Sequence, residues 1–289
     1  MYKTKLCLGT SRSFGISIED QIALFKATGF EAFFTEYNDN VKKYRELADE
    51  LGMIYQSIHA PFWNNKMRIF DMWKVGEEAD RAVEELLRCV KDCADVNVPI
   101  MILHTYAGFG ESEGPNEVGI ENFRKVVEEA AKRNVKIAFE NTEGEEYLAA
   151  LMDAFVDYDN VGFCWDTGHE LCYNRGKDMT ALYGDRLIAT HINDNLGIKD
   201  FNGNNITNID DLHLLPFDGI NDWNSIAHRL NKCGFDDILT FELIKLSKPN
   251  RHENDKYSNM KLEEYVAEAY ARACRLAALK SRDKGTFGV

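Results

Sequence analysis

The chain has no C-x-x-C pair, no apolar run of eighteen residues and no Pro/Gly/Ser-rich linker. Without paired spacing, its seven cysteines read as reduced thiols rather than a disulfide framework. Cys89 and Cys93, four apart in an expected helix, read as packed side chains. Without a long apolar run there is no membrane span. The start, Met1 to Lys5, leads only to a short apolar stretch before Gly9 and Arg12, which lacks a signal-peptide core. These absences predict a soluble, cytoplasmic protein. Cations are also in deficit, 34 Lys and Arg against 48 Asp and Glu, for a net charge of -14. Such a surface repels polyanions and argues against nucleic-acid and anionic-membrane partners, a local basic groove excepted.

What is present alternates from end to end. β-rich segments fall at 4–9, 31–36, 53–59, 99–104, 135–140, 161–166, 187–192 and 237–242. Helical patterning lies between them, beginning at the Ser17 cap and stopping at Thr28-Gly29. It resumes over 40–51, 75–96, 117–133, 145–156, 222–233 and 260–280, with a brief, weakly signalled helix near 178–184. Eight strand-then-helix repeats in 289 residues, 45% of them hydrophobic, predict one α/β domain, residues 1–289, closed as a (β/α)8 TIM barrel. The open dinucleotide-binding alternative fails at the first strand, where Leu6-Cys7-Leu8-Gly9 runs into Thr10-Ser11-Arg12 with no G-x-G-x-x-G turn.

The chemistry gathers at strand ends. His59, His104, Glu140, Asp166, His191 and Glu242 close the third to eighth expected strands in turn. In a barrel that end is the catalytic face. Buried carboxylates aimed at one mouth need a compensating cation, and carboxylate with imidazole but no thiolate suits Mn²⁺, Mg²⁺, Co²⁺, Fe²⁺ or Zn²⁺ alike. His169, Asp211 and His213 extend the cluster as ligands of further metals, substrate contacts or groups that orient the ligands. Gly168 is expected to permit a tight turn between Asp166 and His169.

Neighbouring residues divide by position. Phe62, Trp63 and Tyr106 follow the strand ends that carry the candidate ligands and are candidates for an apolar wall against a bound molecule. Trp165 alternates with the inward Asp166 and is expected to pack outward among the helices. Arg251 and His252 lie in the polar segment Lys248 to Lys256, expected to be a solvated loop rather than a flexible lid or phosphate grip, and His228 reads as a structural helix residue.

His59-Ala60-Pro61-Phe62, Glu140-Asn141-Thr142-Glu143-Gly144, Cys164-Trp165-Asp166-Thr167-Gly168-His169, His191-Ile192-Asn193-Asp194-Asn195, Asp211-Leu212-His213 and Phe241-Glu242-Leu243 together resemble the xylose isomerase-like barrel superfamily. That superfamily holds sugar and sugar-phosphate isomerases and epimerases, inosose dehydratases and endonuclease IV-type apurinic endonucleases. Resemblance to the ketose 3-epimerases implies one divalent metal on Glu140, Asp166, His191 and Glu242. His169 would then contact substrate, and His59, His104, Phe62 and Trp63 are further candidates for that role. The nuclease type implies three zinc ions on His59, His104, Glu140, Asp166, His169, His191, Asp211, His213 and Glu242, all of which are present.

Three features favour the sugar-acting type. The apolar continuation Ala60-Pro61-Phe62-Trp63 resembles it, Leu214-Leu215-Pro216-Phe217-Asp218-Gly219 follows Asp211-Leu212-His213 in place of the nuclease's continuation, and segments 10–16 and 36–39 offer a DNA groove only Arg12. The resemblance thus implies a metal-dependent isomerase or epimerase of a sugar or sugar phosphate, acting through an enediolate with Glu140 and Glu242 as acid and base. Epimerisation, isomerisation and inosose-type dehydration remain alternatives, and a homo-oligomer is compatible with all of them.

Overall fold

A computed structural model describes residues 4–109, 112–198 and 206–284. Eight parallel strands alternate with helices. The strands are β1 (Leu6–Gly9), β2 (Ala32–Glu36), β3 (Ile54–His59), β4 (Ile100–His104), β5 (Lys136–Glu140), β6 (Val161–Asp166), β7 (Leu187–His191) and β8 (Leu239–Phe241). Hydrogen bonding runs in the order β7-β6-β5-β4-β3-β2-β1-β8. A parallel bridge between Ile192 and Phe241 brings the two ends together, with Ile192 N–H donating to the Thr240 carbonyl at 2.7 Å. The result is a nearly closed (β/α)8 barrel, the expected architecture.

Period-two alternation builds two cores from these strands. Inward positions are mostly small, with Ile100, Ile102, Ala138, Cys164 and Ala189 in one cluster and Cys7, Ala32, Phe34 and Ile238 in another. Outward positions such as Met101, Leu103, Phe139 and Trp165 join the larger core beneath the helices. Trp165 packs outward as its alternation predicts. Each inward series ends in a polar side chain: Ile100, Ile102, His104 on β4, and Ala138, Glu140 on β5. The barrel is therefore apolar below and ionisable at its mouth.

The long helices α1 (Ile18–Thr28), α2 (Val41–Leu51), α3 (Glu77–Asp95), α4 (Glu117–Lys132) and α5 (Glu145–Ala154) occupy their predicted places. Ser17 caps α1 by accepting from Asp20 N–H at 3.1 Å. Cys89 and Cys93 are buried in α3, and all seven cysteines are free thiols. Two short helices were not expected. Thr167–Cys172 forms α6, and α9 (Asp255–Ser258) interrupts the segment read as solvated loop; α7 (Met179–Tyr183), α8 (Trp223–Lys232) and α10 (Leu262–Asp283) complete the set. None of the described helices is long and apolar enough to cross a membrane.

Candidate metal centre

The strand ends converge as predicted, in two levels. At the floor, donor atoms of Glu140, Asp166, His191 and Glu242 all lie within 4.8 Å of one another, and the same holds for His59, Glu140 and His191. Above them, His169, Asp211 and His213 form a separate rim cluster with the same spacing. The nine His, Asp and Glu residues of the expected cluster meet at one mouth. Glu242 lies one residue past β8, which ends at Phe241.

Hydrogen bonds fix how these groups are presented. His191 Nδ1 is 2.8 Å from Glu140 Oε1 and 3.1 Å from Glu242 Oε2, so one imidazole bridges both glutamates. His59 donates from Nδ1 to its neighbour's carbonyl, Ala60 O, at 2.9 Å, and places Nε2 3.4 Å from Glu140 Oε2. His104 Nε2 approaches the same oxygen at 3.2 Å. His169 donates from Nδ1 to Asn141 O at 3.1 Å and turns Nε2 toward Asp211 Oδ1 at 3.4 Å. His213 Nε2 meets Asp211 Oδ2 at 2.7 Å.

Asp166 has a second task, capping α6. Its Oδ1 accepts from Gly168 N–H at 2.8 Å and His169 N–H at 2.6 Å, while Oδ2 accepts from the Asn193 amide at 2.8 Å. The cap explains why a six-residue helix starts here and how His169 is aimed. Gly168 acts differently from the expected turn residue. It lies inside α6, and a Cβ there would come within 1.9 Å of Asn193 Oδ1. Its hydrogen makes room for the amide that holds Asp166. Gly9 acts similarly on β1, since a Cβ there would lie 2.3 Å from the Phe34 ring, which stacks on His191 at 4.8 Å between centroids.

The electrostatics are those of buried carboxylates and imidazoles that offset one another. Burial opposes charge on His191 and His169, but the facing carboxylates outweigh it and hold both imidazoles well above their ordinary value. Burial likewise works against Glu140, yet His191, His104 and His59 keep its carboxyl well below the usual range. Glu242 is drawn down to about 2, with His191 and His213 outweighing burial. Asp166 is pushed up to about 6 by burial, against the opposing charge of His169. His104 is pushed down to about 4, again by burial. Several buried atoms find no hydrogen-bond partner, among them Glu140 Oε2, His191 Nε2, His104 Nδ1 and Asp211 Oδ1. Unpaired polar atoms in a buried cluster of carboxylates and imidazoles are what a divalent metal could satisfy, because bare burial of such groups costs several kcal/mol each.

A cavity of about 330 Å³ opens over the cluster. His59, His104, His169, Asp211, His213, Glu242 and Phe62 line it, together with Phe34, Ser13 and Lys248. Phe62 stacks on His104 with centroids 4.2 Å apart. Trp63, expected at the apolar wall, is not brought to the cavity. Its backbone pairs with Arg68, and the 55% exposed ring packs against Phe70 and Arg68 outside the mouth. Tyr106 stacks on Tyr147 and lines a separate groove. His228 is on α8 beside Asp283, and His252 is exposed beside Asp255. Arg251 pairs with Asp210 and Glu253.

Sequence reasoning missed Asn193, Phe34 and Lys248. Asn193 was findable, since it lies two positions beyond His191 and keeps its inward parity. Lys248 lies six residues past Glu242 in the loop after β8, where barrel loops cover the site.

Fold and mouth together define a TIM barrel with a carboxylate–imidazole centre at the C-terminal face of its strands. Residues 20–265 match the family model for the xylose isomerase-like TIM barrel, and the chain belongs to that family. It is 34% identical over 207 residues, 66% of its length, to the uncharacterized protein y4fM of Sinorhizobium fredii (strain NBRC 101917 / NGR234), of which it spans only 63%. Among solved structures it resembles an L-ribulose 3-epimerase with a TM-score of 0.72 at 17% identity, covering 99% of this chain and 98% of that one. It also resembles the IOLI protein with a binding zinc atom, with a TM-score of 0.71 at 18% identity over 95% and 98% of the two chains.

Proposed function

We propose that this protein is a divalent-metal-dependent isomerase or epimerase of a sugar or sugar phosphate. The observation that carries the reading is the floor cluster of Glu140, Asp166, His191 and Glu242 beneath a cavity of about 330 Å³, a volume at the small end of ligand pockets. The structural likeness to an L-ribulose 3-epimerase supports it.

The four floor residues would hold the ion, which supplies Lewis acidity to a substrate carbonyl and its neighbouring hydroxyl. Glu242, 26% exposed and on the cavity wall, is placed to take a proton from the carbon beside that carbonyl. Glu140, fully buried, is its counterpart in acid–base exchange and lies one layer deeper, against three imidazoles. His169 turns Nε2 toward the cavity side, where it can hold a substrate oxygen. His59 and His104 offer further polar contacts, and Phe62 gives an apolar surface.

Incubation with ketoses, ketose phosphates and inososes in deuterated buffer with Mn²⁺ tests the reading. Deuterium is expected at the carbon beside the carbonyl of at least one of them, and none with any of them overturns it. A dehydratase begins with the same proton abstraction and would show in the same assay as loss of water.

The rim cluster favours a second reading, phosphodiester hydrolysis at a site of several zinc ions. The cavity lining weighs against a polyanion, because Arg12 stands 3.0 Å from Glu36 and Lys248 stands 3.5 Å from Asp211. Nicking of an abasic duplex by the zinc-loaded protein would reverse the preference.

A further inference from the structure

His169, Asp211 and His213 have the composition of a second metal site, yet a lysine already stands among them. Lys248 Nζ lies 3.5 Å from Asp211 Oδ2 and donates to Asn208 O at 3.0 Å. Its side chain is only 20% exposed and lines the cavity. The position is built by the surrounding loop. Lys245 N–H donates to Ser13 Oγ at 3.0 Å, tying the segment after β8 to that after β1. Asn254 donates from its amide to Ile244 O at 2.8 Å and from its backbone to Ser247 Oγ at 3.0 Å, and the Ser247 hydroxyl bonds Asp255 at 2.7 Å. Anchored on both flanks, the loop holds its ammonium over the rim.

We infer that Lys248 takes the place of a second cation: it joins His213 and His169 in compensating Asp211, keeps the rim trio free of metal, and binds a substrate oxygen. Three consequences of ammonium chemistry support this. A fixed positive charge beside a carboxylate repels a divalent ion approaching the same carboxylate. An ammonium has three donors, of which Asn208 O takes one and Asp211 draws another, so one remains for the cavity. With Lys248 sharing Asp211, His169 Nε2, 3.4 Å from Asp211 Oδ1, faces the cavity without a metal and can turn to a substrate oxygen. The ligand class is a small polyoxygenated molecule whose far end is held by His169 and Lys248 while its carbonyl end lies over the floor. Lys248 thereby decides between one-metal and several-metal chemistry on a shared ligand set. The inference rests on the metal reading of the floor.

Chelator-stripped protein titrated with Zn²⁺ alone, with bound metal counted by elemental analysis after gel filtration, tests it. The natural chain is expected to retain one ion, Lys248→Met to retain a second, and Lys248→Arg, which keeps the charge, to stay at one. Adding Asp211→Asn to Lys248→Met should remove the second ion, placing it at the rim. Two or three ions on the natural chain, or one on Lys248→Met, overturns the inference while leaving the floor reading intact. No ion on the natural chain overturns the floor reading and this inference with it. Should Lys248→Met fail to fold, Lys248→Gln carries the same expectation.

Discussion

The floor and rim clusters use the same side-chain types but are held in different ways. Floor groups stand on or next to strand ends, locked by sheet hydrogen bonds and by partners such as Asn193 on Asp166 and Phe34 on His191. Two of the three rim groups, Asp211 and His213, ride on the long connection between β7 and α8. That connection is tied down by side chains: Asp218 accepts from Arg272 at 2.6 Å and from the Tyr257 hydroxyl at 2.5 Å. A cation is held best where its ligands cannot relax away, so the floor is the stronger candidate for metal and the rim for adaptable substrate contact.

Substitutions can break or sharpen that contrast. The largest effect is expected for Glu140→Gln, which removes the carboxylate facing three imidazoles and should weaken metal binding by at least about 100-fold in calorimetric titration. Retention within tenfold would show that the ion sits elsewhere. Asn193→Ala leaves every ligand in place but frees Asp166 Oδ2, and a loss of about 10- to 100-fold in metal affinity is expected. Gly168→Ala forces Asn193 aside and should cost about 1–3 kcal/mol of stability, read as a lower denaturant midpoint. It should also reproduce the metal defect of Asn193→Ala; unchanged affinity would uncouple the amide from the site.

The anchor of the rim connection is expected to be smaller in effect and dependent on pH. Burial raises the Asp218 carboxyl, but the Tyr257, Arg272 and Lys256 partners outweigh it and hold it below its ordinary value. A carboxyl lowered in the folded state contributes stability above its unfolded value and loses it on acidification. Asp218→Asn should therefore cost about 1–2 kcal/mol near neutral pH, with the gap to the natural chain closing as pH falls below about 4. A gap independent of pH would mean that shape rather than charge holds the connection. Smallest of all, Asp211→Asn should change floor affinity by less than about threefold, because no floor donor bonds to it.

The same contrast explains what was legible in the sequence. Strand-end groups such as Glu140 and Asp166 can be read because alternation fixes their parity and the barrel fixes which end of the strand meets the mouth. The rim groups were visible as residue types, while Lys248 was not, since a loop's path follows from hydrogen bonds like Lys245 to Ser13 that no periodicity encodes. Trp63 misled for that reason. Four residues past His59 the chain has already turned back to pair with Arg68, and nearness in sequence no longer means nearness to the site. α6 escaped notice because six residues are too few for an apolar period, its start signal being the strand-end Asp166 itself.

The stacking of Phe34 on His191 bears on any attempt to reshape the cavity. β1 supplies no ligand, yet the bare hydrogen of Gly9 lets that ring lie flat across the barrel. Enlarging the pocket by trimming Phe34 would take away the brace of an imidazole that bridges two glutamates, trading room for a loosened centre. An engineer seeking broader substrate range should start at Phe62, which packs on His104 and His59 but not on the bridging imidazole, and leave the first strand alone.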